Sequence, residues 1–66
     1  MQTFHFQSND EFCIFIEKRE GCYFKLCGQG RTPYTPGVYI DAPDASREMD
    51  SLRADGYEER VGTVDS

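Results

Sequence analysis

Two runs of alternating residues, Phe12 to Lys18 and Cys22 to Cys27, flank the tripeptide Arg19-Glu20-Gly21. Both are rich in aromatic and β-branched residues, so they read as strands joined by a turn. A two-residue loop would set Ile16 against Lys25 and Glu17 against Phe24, mixing the two faces. A three-residue loop sets Ile16 against Phe24, Ile14 against Leu26 and Cys13 against Cys27. Only the second register separates the faces, because a slip of one residue turns every side chain over. Gly21 suits the left-handed position that such a loop ends on. The inner face is then Phe12, Ile14, Ile16, Cys22, Phe24 and Leu26. The outer face is Cys13, Phe15, Glu17, Tyr23, Lys25 and Cys27.

The rest of the chain supplies what this hairpin needs as cover. Thr3 to Gln7 alternates, with Phe4 and Phe6 on one side and His5 on the other, and Ser8-Asn9-Asp10 has turn chemistry. Gly28 to Gly37, with three glycines and two prolines, reads as a loop, and Val38 to Ile40 as a short extended piece. Asp41 is a helix N-cap, Pro43 falls in the first turn, and Asp44 complements the free amides there. The helix runs to about Ala54 and stops at Gly56. Ala42, Ala45, Met49 and Leu52 form its apolar stripe. Tyr57 to Val64 is a last strand. These elements predict an α+β fold: a small antiparallel sheet with a long N-terminal hairpin, covered by one helix, with residues 1–66 as a single domain. At 66 residues the chain buries only about 60% of its unfolded surface, so its core is thin. Candidate core positions are Phe4, Phe6, Phe12, Ile14, Ile16, Phe24, Leu26, Val38, Ile40, Met49, Leu52 and Val61.

The residues argue against several chemistries. The single histidine, His5, lies between Thr3 and Gln7 on a polar strand side, without the positioned partner a general base needs. No serine or cysteine stands in a nucleophile setting, and acid pairs such as Glu58-Glu59 alternate across a strand. The expectation is a protein that is not an enzyme and takes no cofactor. Cys13-x8-Cys22-x4-Cys27 contains no Cys-x2-Cys pair, and the register sends Cys22 to the other face, so no metal site is expected. Gly28-Gln29-Gly30 lacks the later glycine and lysine of the nucleotide motifs. Phe15 and Tyr23 beside Lys25 suggest base stacking, but residues 1–33 carry four acids and four bases, without the basic surplus that phosphates require. No direct nucleic-acid contact is expected, and those aromatics fit a second core layer or a protein interface better. No segment approaches the roughly 20 apolar residues of a membrane span, and the first residues show no secretory pattern. A Cys13–Cys27 cross-strand disulfide fits the register but needs an oxidising compartment. The odd cysteine count points instead to free thiols in a cytoplasmic monomer.

Charge is the remaining signal. The chain carries −5, all of it in residues 34–66, where eight acids face three bases. Such acidity also serves solubility alone. Asp44, Glu48 and Asp55 nevertheless fall on one helical stripe, where like charges four apart repel, and Asp55 sits at the end where the dipole favours a cation. Glu58 and Glu59 continue the strip. In size, acidity and this Asp44/Glu48/Asp55/Glu58/Glu59 strip, the chain resembles the small phage-encoded inhibitors of the anti-CRISPR type. That resemblance implies a partner: the basic DNA-recognition surface of a nucleic-acid-binding protein, such as a CRISPR effector complex subunit, blocked by an acidic mimic. The alternative is a regulatory or structural subunit that docks a protein through Phe15 and Tyr23.

Overall fold

The computed structural model describes residues 1–34 and 36–63. Two tight reversals build the middle of the sheet. Strand β1 (Gln2–Ser8) turns through Asn9 and Asp10 into β2 (Glu11–Arg19), with Asn9 at a left-handed φ of 54°. Strand β2 returns as β3 (Cys22–Gln29), with Gly21 at φ 78°. Ile16 faces Phe24, Ile14 faces Leu26 and Cys13 faces Cys27, the register expected from the sequence. A bulge between Glu17 and Arg19 lets Arg19 pair with Cys22, so the strands close nearer the turn than a plain three-residue loop would allow.

The far edge of β3 is shared by two short strands. Strand β4 (Thr32–Pro33) pairs with Gly28 and Gln29, and β5 (Val38–Asp41) pairs with Cys22 to Lys25. The segment expected to be a plain loop, Gly28 to Gly37, therefore holds the end of β3 and a two-residue strand; its Thr35 lies outside the described residues. Pro33 and Pro36 flank that interruption and lack the amides on which another strand could pair.

Helix α1 (Ala42–Ala54) follows directly. The Asp41 carboxylate accepts from the Asp44 amide at 3.0 Å. At the other end the Gly56 amide donates to the Arg53 carbonyl and the Tyr57 amide to the Leu52 carbonyl, each at 3.1 Å, with Gly56 at φ 88°. This is the αL termination that a C-terminal glycine provides. Strand β6 (Glu58–Thr63) then pairs antiparallel with β1; the expected extension to Val64 lies outside the described residues. Reading across, β3 carries β4 and β5 on its outer edge and is followed by β2, β1 and β6. The helix thus leaves one edge of the sheet and delivers the chain to the other. Four interstrand steps span about 19 Å, and thirteen helical residues reach about the same distance. The result is an α+β fold with one helix crossing one face of an antiparallel sheet.

The core under that helix is Phe6, Phe15, Ala45 and Met49, with Phe4, Cys13, Tyr23, Ile40, Leu52 and Tyr57 packed against it. Phe6 and Phe15 meet edge to face at 5.8 Å and are fully buried. The expected stripe of the helix is the one that faces inward, but the faces of the hairpin are reversed. The helix covers Cys13, Phe15 and Tyr23, whereas Phe12, Ile14, Ile16, Phe24 and Leu26 lie on the uncovered side. The cause is β1, whose phenylalanines decide the matter: Phe4 faces Phe15 and Phe6 faces Cys13. Val38 and Val61, expected in the core, are 50% and 55% exposed on edge strands. The expectation of three free thiols is also overturned. Cys13 and Cys27, directly opposite with Cα atoms 4.1 Å apart, form a disulfide, and Cys22 is free. The odd count leaves one spare thiol and therefore no longer argues for a reducing compartment.

Candidate interaction surfaces

The helix side is bound together by ion pairs. Lys25, projecting from β3, meets Glu48 of the helix. Arg53 grips the Glu59 carboxylate with two hydrogen bonds of 2.7 Å, reaches Asp50 at 2.8 Å, and lies 5.6 Å from the centre of the Phe6 ring. The hydrogen bonds from Arg53 hold the Glu59 carboxyl below its ordinary range, despite the opposing cost of desolvation. The same contacts raise Arg53 further, so it stays charged at every accessible pH. Burial, then the hydrogen bond to Glu11 at 3.2 Å, pushes the Tyr57 phenol up.

Of the expected acidic strip, the structure brings four members to this side. Asp44 pairs with Arg47, Glu48 with Lys25 and Glu59 with Arg53. Asp55, at the helix C-cap, makes no side-chain ion pair among the described residues. Glu58 does not join them. It alternates with Glu59 along β6, lies on the opposite face and pairs with Arg60. Internal pairing dilutes the strip but does not neutralise the side. Glu11, Glu17, Asp44, Glu48, Asp50, Asp55 and Glu59 stand against Lys25, Arg47 and Arg53. Seven carboxylates against three cations leave −4 of the −5 carried by the whole chain.

The alternative docking site does not survive. Phe15 is 0% exposed beneath the helix, and Tyr23 packs at a tilt against Phe4 with ring centres 6.3 Å apart. Neither forms an open aromatic face.

The open face is the other one. Phe12, Ile14, Ile16, Phe24 and Leu26 half-bury one another there, and Tyr39 of β5, 66% exposed, meets Phe24 edge to face at 5.1 Å. Lys18 lies 5.9 Å from the centre of the Phe24 ring. One end of this patch opens into a concavity of about 490 Å³ lined by Lys18, Arg19, Cys22 and Tyr39. The other end holds one of about 240 Å³, where Arg31 and His5 border Phe12 and Ile14. The polar half, on β1 and β6, carries His5, Gln7, Glu58 and Arg60 around a third. Sequence reasoning missed Lys18, Arg19, Arg31 and Tyr39 as surface neighbours because it placed this face inward. The signal was present in Asn9-Asp10: a two-residue turn there sets the polar side of β1 beside Phe12 and Ile14.

Among the described residues, no three His, Cys, Asp or Glu side chains gather where a metal ion would sit. No helix among the described residues is long and apolar enough to cross a membrane. Comparison with protein-family models, curated proteins and solved structures finds no match to this chain.

Proposed function

We propose that this chain is a small binding protein that inhibits a nucleic-acid-handling complex by seating its acidic helix side on the complex's basic DNA-recognition surface, as anti-CRISPR inhibitors do. The observation that carries this reading is the segregation of charge, with −4 of −5 on the side the helix occupies. A field of that sign draws in Arg- and Lys-lined surfaces and competes with phosphate for them. The surface ion pairs there are worth little internally, so they open to a better partner at small cost. The reading places the protein in a bacterial cytoplasm, acting as a monomer and without catalysis. Glutathione there would reduce the Cys13–Cys27 bond, while the β2–β3 register still holds the two thiols face to face.

The test is competition for DNA. Purified CRISPR effector complexes are incubated with the chain, and target-DNA binding is measured by mobility shift. DNA binding by at least one complex should fall, and raising salt from about 0.05 to 0.5 M should release the inhibitor. The triple variant Asp44→Asn, Asp50→Asn and Asp55→Asn, which spares Glu48 and Glu59, should inhibit at least about tenfold more weakly, a loss of about 1.4 kcal/mol. Inhibition that is unchanged in the triple variant and insensitive to salt would refute the reading.

A further inference from the structure

The chain's cations divide sharply. Lys25, Arg47, Arg53 and Arg60 each pair with a carboxylate of the same molecule. Lys18, Arg19 and Arg31 make no ion pair among the described residues, all three are exposed, and all three border the apolar patch of the helix-free face. Lys18 and Arg19 stand at one end and Arg31 at the other. An apolar surface with unmatched positive charge at both ends specifies what should lie on it.

We infer that the helix-free face of the sheet docks an amphipathic helix of another protein, with an apolar stripe along its middle and carboxylates at both ends. The covered face shows a related pairing within the chain, a strand lysine meeting a helix carboxylate, although that carboxylate stands at mid-helix. There Met49 and Leu52 lie on the sheet while Lys25 of a strand meets Glu48 of the helix. The dimensions agree as well. Phe12 to Lys18 spans about 20 Å along the strand, and about 13 helical residues cover that length. A second copy of this chain fits poorly, because face-to-face stacking would bring Lys18, Arg19 and Arg31 onto a face with the same unmatched cations. Single-stranded nucleic acid fits poorly too. The centre of the patch is Ile14, Ile16 and Leu26, which offer no ring for stacking, and the unmatched cations stand only at its two ends, so no positive groove follows a phosphate backbone along it. This surface is separate from the acidic helix side, and neither reading depends on the other.

Two synthetic peptides of about 14 residues test this, each with leucines at helical spacing. One has glutamates at both ends and the other lysines. With isotope-labelled protein, the acidic peptide should shift amide resonances in β2, β3 and β5 and leave those of the helix unmoved. Titrated through those same resonances, it should bind this face at least about tenfold more tightly than the basic peptide. Lys18→Glu with Arg31→Glu, two changes at exposed positions, should reverse that preference. Equal affinities of this face for the two peptides, or shifts by the acidic peptide confined to the helix side, would overturn the inference. It also fails if sedimentation shows self-association that Ile14→Ser with Leu26→Ser abolishes. The same holds if the face binds oligothymidylate and the paired charge reversal abolishes that binding.

Discussion

Arg53 ties three elements together, through Asp50 of α1, Glu59 of β6 and the Phe6 ring of β1. It is 41% exposed, so solvent screens its pairs, and the expected loss in Arg53→Gln is about 1 kcal/mol rather than a buried-pair figure. The pH dependence has a definite sign. Because the Glu59 carboxyl is held below its unfolded value, its contribution is complete above about pH 4.3 and is lost as pH falls through the lower folded value. Chemical denaturation between pH 6 and 2 should show that acid loss in the wild type and a flatter profile in Arg53→Gln. The cysteines give a second measurement at this scale. Thiol titration of air-oxidised, unfolded protein should find one reactive group, Cys22, and three after reduction. With Cys13 and Cys27 at a sequence separation of 14, reduction should cost roughly 3 kcal/mol by loop entropy, read as a shift in the denaturation midpoint. A count of three before reduction would show the bond absent.

Among the elements, those the sequence made legible carried two signals at once. The β2–β3 register followed from face separation and from Gly21, and helix α1 from Asp41, Pro43, its apolar stripe and Gly56. Strand β4 carried neither, since two residues ending in proline have no period to read. The choice of covered face was illegible from the hairpin alone because both its faces are substantially apolar: Phe15 and Tyr23 look as suited to a core as Ile14 and Leu26. Only the pairing with β1 breaks that tie, and it depends on the length of the Asn9-Asp10 turn. Of the acidic strip, the helical members were legible from spacing, but Glu58 was counted with Glu59 although neighbours on a strand point apart. Gly21→Val tests the turn. A Cβ added there would meet nothing within 4 Å, so the expected loss comes from the left-handed backbone, at φ 78°. Destabilisation of at least about 1 kcal/mol is expected, measured by urea unfolding.

For the molecule as a whole, composition supplied the net charge but not its distribution, which arises because β2, α1 and β6 send Glu11, Glu17, Asp44, Glu48, Asp50 and Glu59 to one side. The helix that strides from the β5 edge to the β6 edge also imposes an order on assembly. Strands β1, β2 and β3 join through short reversals, whereas β6 must find β1 across almost the full chain, with Gln2 opposite Thr63. Closing that distance costs chain entropy that only a docked helix reduces, because the helix carries the last strand to its place. The meander with its helix is therefore expected to form the nucleus, with β6 pairing after the rate-limiting barrier. Stopped-flow kinetics should show Ile14→Val slowing refolding, while Val61→Ala leaves the folding rate nearly unchanged and accelerates unfolding. In a folded population, β6 should consequently be the first strand to detach. Its departure would uncover the Gln2–Ser8 edge of β1 as a free pairing surface, which makes the helix strap the latch against chain-to-chain sheet growth.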